Sequence, residues 1–364
     1  MQCVNYFLNW IVILKLSKVL IAVQDGKIYT FAFSQDKLMF VVQDYHQFAS
    51  ETIFRARIDK LNQSNNSAFV SYAGGQTGFI NLESGTKVQN GSILPVQLVW
   101  HGDDQKQAKL RTNWQLVGKY LVYRGDKLNR VSAKISNVVR DKFQVWLEQY
   151  AGDWVARSSV TENTDFDCIA SEMMQLYNQA QQIRTNSANN VIYDGIPNYL
   201  KLLRNLASDN DCEIICNCLQ IHQDLIIYQD IWQLDILTFD PKLEVQELIN
   251  IHEKLLSSLV VEASNGATLE VNRVSGINII DVNNRLQNIA NNKLNFLILD
   301  DVYQQICLRN LQGIILIDLI KNMSQEQQEK VIDYLKKRFK FDVSNTKVLG
   351  FSHSGLCELI RNKF

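Results

Sequence analysis

Ser67-Ala-Phe-Val-Ser-Tyr-Ala-Gly-Gly-Gln-Thr-Gly-Phe-Ile-Asn-Leu82 is the stretch whose reading decides the fold. Two short runs of strand-forming residues, Ser67–Tyr72 and Gly78–Leu82, flank a turn at Ala73–Thr77 that holds two glycines. Alternation along a strand puts Ala68, Val70 and Tyr72 on one face and Phe69 and Ser71 on the other. Phe79 lies on the next strand. Two rings on neighbouring strands either pack into a core or, facing water, offer a platform on which bases stack. The residues alone leave both readings open.

Working outward, Ile53–Ile58 and Leu94–Trp100 are further apolar runs, separated by Asn, Gly and Ser clusters. Closely spaced antiparallel strands of this kind predict a small barrel. Lys106, Lys109 and Arg111 follow and supply charge for a phosphate backbone. Upstream, Ile11–Leu16, Val19–Val23 and Ile28–Phe33 read as strands, with Asp25-Gly26 as a hairpin turn. Downstream, Phe166, Ile169, Met173, Leu176, Tyr177, Ala180 and Ile183 recur at helical spacing, a core stripe. A helix over about Asn198–Ala207 is predicted to precede more strands through Phe239, and Pro241 to open another helix to about Leu259. Ser324-Gln-Glu-Gln327 has the form of a capping box ahead of Val331, Leu335 and Phe339.

The chain has 364 residues, enough for two or three domains, and 37 basic residues against 38 acidic ones. A net charge of -1 neither favours nor excludes nucleic acid, because phosphate recognition rests on a local basic stripe. Seven cysteines without paired spacing point to reduced thiols and a cytoplasmic protein. Cys212, Cys216 and Cys218 cluster, but no Cys-x-x-Cys and no His-x-x-x-His occurs, so buried thiols are preferred to zinc. The apolar segment Val4–Leu16 is too short to span a membrane and is interrupted by Asn5, Asn9 and Lys15; a buried strand is expected there instead.

Gly276-Ile-Asn-Ile-Ile-Asp-Val-Asn283 is an apolar strand whose alternation puts Asp281 and Asn283 on one face. Gly313-Ile-Ile-Leu-Ile-Asp318 is a second apolar run that ends in an aspartate. A carboxylate at the end of a buried strand is costly to desolvate, so it stays solvated, caps a turn or meets a cation. Two such carboxylates together suit magnesium, which prefers oxygen ligands and keeps several waters. A nucleotide-binding reading fails, since no Gly-x-x-x-x-Gly-Lys-Ser/Thr is present.

Ala68–Ile80 resembles the OB-fold RNA-binding domain of ribonuclease E/G enzymes, and Lys106–Thr112 resembles the strand that closes it. Ile280-Asp-Val-Asn283 and Arg309–Leu319 are similar to that family's two catalytic motifs, and Leu349–Arg361 to the segment closing its catalytic domain. The resemblance runs from about Ile11 to the end and is weakest between Arg124 and Trp154. It implies an α+β composite: an RNase H-like subdomain over 11–50 and 190–256, an inserted OB-fold RNA-binding barrel over 51–113, a 5′-sensor region over 114–189 and a DNase I-like catalytic subdomain over 257–364. It implies that Phe69, Phe79 and Lys106 grip single-stranded RNA. Asp281 and Asp318 would hold Mg2+, with Asn283 positioning the scissile phosphate or water. Arg157 and Ser158 would sense a 5′-monophosphate, with Gly118 and Val122 lending backbone.

The chain departs from the family in places. Ser275 stands where a glutamate is usual six residues before the first aspartate, the loop after Asn283 is short, Ser158 replaces a threonine, and Lys321 and His353 replace an acid and an arginine. The expected function is a magnesium-dependent endoribonuclease acting on single-stranded RNA; the alternative is an RNA-binding protein of the same scaffold with weak or no cleavage. No membrane partner is expected. A homodimer is allowed, whereas the zinc-linked assembly is not expected, because the family's Cys-containing link does not occur before Phe364.

Overall fold

The structure, a computed structural model, describes residues 16–44, 46–83, 85–102, 106–125, 128–150, 152–186, 190–205, 212–234, 236–263, 266–284, 291–320 and 323–362. The strand expected over Val4–Leu16 falls outside them, Leu16 excepted. The fold is mixed α+β and divides into two compact units: residues 1–43, 210–222 and 236–364, and residues 44–209 and 223–235.

The first unit holds two sheets. The smaller one orders its strands Ile236–Phe239, Glu213–Cys216, Lys18–Gln24, Lys27–Ser34, Lys37–Asp44, with the two late strands parallel to Lys18–Gln24. The hairpin turn at Asp25-Gly26 forms with both residues at positive φ, which matches the twist of the flanking strands. Ala22, Phe31 and Val41 from this sheet bury against Val245, Ile249 and Leu308. The helix carrying Ile249 runs Gln246–Ser257, so Pro241 does not open it. Pro241 instead sits in a turn that Asp240 closes by accepting from Lys242 N and Leu243 N.

The larger sheet of this unit has six strands in the order Val260–Glu262, Thr268–Val274, Ile277–Asn283, Gly313–Asp318, Cys357–Arg361, Thr346–Phe351. One face is apolar and buried, through Leu269, Val271, Ile280, Val282, Ile315, Ile317 and Leu359. The helices Asn291–Leu297, Leu299–Leu308 and Gln325–Arg338 belong to the same unit. The capping box forms: Ser324 accepts from Gln327 N while the Gln327 side chain accepts from Ser324 N. Arg361 is buried on the sheet's last strand and donates in a fork to Asp342 at 2.9 and 3.0 Å. It also reaches Asn310 and the Leu311 carbonyl, so its burial leaves no bare charge.

The second unit carries the barrel. Strands Ile53–Asn62, Ser67–Tyr72, Gln76–Asn81, Ala108–Arg111 and Ile93–Trp100 pair in that order, and the last returns to the first, giving a closed five-stranded OB-like barrel. Phe54, Ile58, Ala68, Val70, Tyr72, Ile80, Val96 and Leu110 fill it. Beyond it, Leu116–Val117, Leu121–Tyr123, Arg130–Val131 and Trp154–Ala156 form a small sheet. The helices Asn137–Leu147 and Phe166–Thr185 bury Phe143, Leu147, Ile169, Met173 and Leu176 against it. The helix Asn198–Arg204 ends in a buried fork from Arg204 to Glu51 at 2.8 and 2.9 Å. The strands predicted through Phe239 are interrupted by a helix, Leu219–Trp232. Among the described residues no helix is long and apolar enough to cross a membrane.

Candidate functional site

On the barrel, Ala68, Val70 and Tyr72 point inward as the alternation requires, and Phe69 points out, 42% exposed. Phe69 and Phe79 are direct cross-strand partners, their centroids 5.7 Å apart in an edge-on arrangement. That exposure removes Phe69 from the core, since a ring of the core would be covered, and Phe79 is half-buried beside it. The register continues on both sides: Lys60 is the partner of Phe69 and Lys109 the partner of Phe79. Four adjacent strands therefore present the row Lys60, Phe69, Phe79, Lys109, with both lysines exposed. Lys106 is also exposed but lies ahead of this row. Arg111 does not join the face, because its guanidinium donates from Nε and a terminal nitrogen to Gln97 Oε1 at 2.9 and 2.5 Å.

In the other unit, Asp281 and Asp318 are register partners on neighbouring parallel strands, at the C-terminal end of each run. Strands pack about 4.8 Å apart, so the two carboxylates issue side by side from one edge of the sheet. Both lie on the face opposite the apolar core and are partly exposed. Asn283 Nδ2 donates to Asp281 Oδ2 at 2.8 Å, which fixes the carboxylate's rotation. Glu270 is the partner of Asp281 on the next strand and accepts from Asn272 Nδ2 at 2.8 Å.

Buried Asn295 holds the chain just past Asp318: its Nδ2 donates to Ile320 O at 2.8 Å and its Oδ1 accepts from Ile320 N at 2.9 Å. Neither Glu270 nor Asn295 was predicted, because each reaches the site through register or tertiary contact. Among the described residues no three His, Cys, Asp or Glu side chains gather closely enough to cage a metal. Two carboxylates at a solvated edge nevertheless fit magnesium, which takes one or two such ligands and completes its shell with water.

Ser275 sits in the two-residue hairpin Ser275-Gly276, both at positive φ. At 3.2–3.4 Å per residue that turn lies about 20 Å along the strand from Asp281, so the residue at this position takes no direct part in the carboxylate site. The turn needs a residue tolerant of φ near +50°, and that is what Ser275 provides. The loop after Asn283 and Lys321 lie outside the described residues.

Of the predicted sensor residues, Arg157 and Gly118 are brought together. Arg157 donates to the Gly118 carbonyl, to Lys119 O at 3.2 Å and to Asn205 Oδ1 at 2.6 Å, and its own N–H donates to Tyr120 O at 2.8 Å. Burial and the nearby Arg204 pull its pKa down to about 10, still a cation at neutral pH. Ser158 is exposed beside it, and Val122 is the middle residue of the Leu121–Tyr123 strand.

The strap Gly118–Leu121 is organised by a residue the sequence did not single out. Glu172 is 1% exposed, and its carboxylate accepts from Lys119 N at 2.5, Tyr120 N at 2.8 and Leu121 N at 2.9 Å, and from Trp232 Nε1 at 3.2 Å. A Cβ on residue 118 would stand 2.3 Å from the Glu172 carboxyl carbon, so a larger residue there would push the carboxylate off the backbone N–H groups it serves.

An OB-like barrel with an outward aromatic pair flanked by lysines, and two register-paired aspartates in the other unit, are features expected of the ribonuclease E/G class of RNA nucleases. The chain belongs to the ribonuclease E/G family, whose model matches residues 115–364. It is similar to a ribonuclease E/G-like protein of Porphyra purpurea, 22% identical over 89% of this chain and 70% of that one. The corresponding protein of Pyropia yezoensis is 21% identical over the same shares. Ribonuclease G of Escherichia coli K12 is 22% identical over 76% of this chain and 60% of its own length.

Proposed function

We propose that the chain is a magnesium-dependent endoribonuclease acting on single-stranded RNA in RNA processing or decay. The observation that carries this reading is the pairing of Asp281 with Asp318 at one sheet edge, with Asn283 bonded to the first. In this reading residues 11–50 and 190–256 form an RNase H-like subdomain, 114–189 the 5′-sensor region and 257–364 a DNase I-like catalytic subdomain.

Asp281 and Asp318 would hold the ion. The chemistry it supplies when bound is charge neutralisation at a phosphate and acidification of a bound water. Asn283 orients Asp281, and Asn295 holds the backbone after Asp318, so both carboxylates are set before substrate arrives. Phe69 and Phe79 stack bases while Lys106 and the flanking lysines meet phosphates. A 5′-monophosphate would bind the Arg157 guanidinium in exchange for Asn205 and take a hydrogen bond from Ser158.

The test is cleavage of one single-stranded RNA, made with a 5′-monophosphate and with a 5′-hydroxyl, in magnesium and in EDTA. Cutting only in magnesium, and faster from the monophosphate, is expected. Equal rates on the two substrates would remove the sensor. Equal traces in magnesium and EDTA would leave the alternative, an RNA-binding protein on this scaffold, which the short loop after Asn283 favours.

A further inference from the structure

The strands Thr268–Val274 and Ile277–Asn283 are joined by the turn Ser275-Gly276, which brings residues distant in sequence level across a hairpin. Glu270 stands eleven positions ahead of Asp281 and is its register partner. Asp281 is in turn the partner of Asp318, so one row across three strands reads Glu270, Asp281, Asp318. All three are partly exposed, on the face opposite the apolar core. Glu270 is not the counterpart of the glutamate usual six residues before the first aspartate, whose place Ser275 takes at the turn.

Like charges directly opposed across a ladder destabilise a sheet, so Glu270 beside Asp281 carries a cost. The chain does not relieve it locally. The partner of Glu270 on its other side is Val260, and among the described residues no lysine or arginine pairs with Glu270, Asp281 or Asp318. Both members of the opposed pair are instead held in place by the same device. Asn272 and Asn283 each follow their carboxylate by two residues, which puts amide and acid on one face. Asn272 Nδ2 donates to Glu270 Oε1 at 2.8 Å, as Asn283 Nδ2 does to Asp281 Oδ2. A divalent cation at the neighbouring pair would remove the repulsion.

We propose that Glu270 is an outer carboxylate of the magnesium site, a third negative charge that tightens the hold of Asp281 and Asp318 on the ion without ligating it. The inference rests on the cation site of the proposed function. Glu270 is one strand too far out to complete a cage of three acids. At about 4.8 Å per strand it stands roughly 7 Å from the midpoint of the two aspartates. Across that distance in water, a unit charge favours a divalent cation by about fivefold at low salt.

The experiment titrates Mn2+, which shares magnesium's preference for oxygen ligands, into the full chain without RNA and follows the free ion by electron paramagnetic resonance. Glu270→Gln keeps the shape and the oxygen that receives Asn272 Nδ2, and removes only the charge. Its Kd for Mn2+ should rise about fivefold over wild type at an ionic strength of about 0.01 M. In about 1 M NaCl, where the screening length is about 3 Å, the difference should fall below twofold. A merely structural effect would not fade with salt. Asp281→Asn is the control for the site and should weaken Mn2+ binding more than Glu270→Gln does, at both salt concentrations. If Asp281→Asn weakens binding while Glu270→Gln changes nothing at low salt, or if the effect of Glu270→Gln persists in high salt, the outer-carboxylate role is wrong. If neither variant changes Mn2+ binding, the cation site itself fails first and the role of Glu270 with it.

Discussion

Glu172 shows at the scale of single residues how the strap Gly118–Leu121 is held. Its carboxylate serves four buried or half-buried donors at once. Unsatisfied buried donors cost about 1–3 kcal/mol each, though not additively, so Glu172→Ala should destabilise by about 3–5 kcal/mol. Gly118→Ala should approach that loss, because the new Cβ and the carboxyl carbon 2.3 Å away cannot coexist. Urea unfolding followed by tryptophan fluorescence measures both, and a Gly118→Ala protein as stable as wild type would show that the strap can yield. The placement of Phe69 and Phe79 on neighbouring strands, and of Asp281 and Asp318 at strand ends, was legible in the sequence because period-two alternation and strand ends are local patterns. Glu172 was not, since its partners lie more than fifty positions away and its own helical stripe marks it only as polar.

Elements were legible where their own pattern decided them. The hairpin at Asp25-Gly26, the helix Phe166–Thr185 and the capping box at Ser324 follow from local chemistry. The helix Leu219–Trp232 was read as strand because Ile221, Ile226 and Ile227 favour strands locally and only the tertiary setting overrides them. The helix Asn291–Leu297 was likewise missed, and with it Asn295, whose paired bonds to Ile320 fix the chain beyond Asp318. Asn295→Ala removes both bonds and frees the end of that strand. We expect cleavage to fall at least tenfold under single-turnover conditions while affinity for RNA stays within twofold, since the barrel is untouched. A variant that cuts at the wild-type rate would show that Asp318 is held without that clamp.

At the scale of the whole molecule, the groups proposed to bind and those proposed to cut belong to different compact units, so their roles can be tested separately. In the barrel-bearing unit His46 and His101 stack at 3.7 Å between centroids. Burial first, then the charges of His46 and Lys201, push the His101 pKa down to about 4 from an ordinary 6.5. A depressed histidine favours the fold when neutral, so its contribution is complete above pH 6.5 and is lost as pH falls toward 4. The urea midpoint of this unit should drop between pH 7 and pH 5, and His101→Phe, which keeps a ring in the stack, should flatten that dependence; an equally steep fall in the variant would assign it elsewhere. The central claim concerns the other unit: Asp281 and Asp318 jointly form the magnesium site of an endoribonuclease. Its most direct measurement is the cleavage rate of a 5′-monophosphorylated single-stranded RNA by wild type, Asp281→Asn and Asp318→Asn in saturating magnesium, with binding measured on the same samples in EDTA. Loss of cutting in both variants with affinity retained is the predicted result, and a variant that still cuts at the wild-type rate, or a wild type that cuts no faster than the variants, would contradict it.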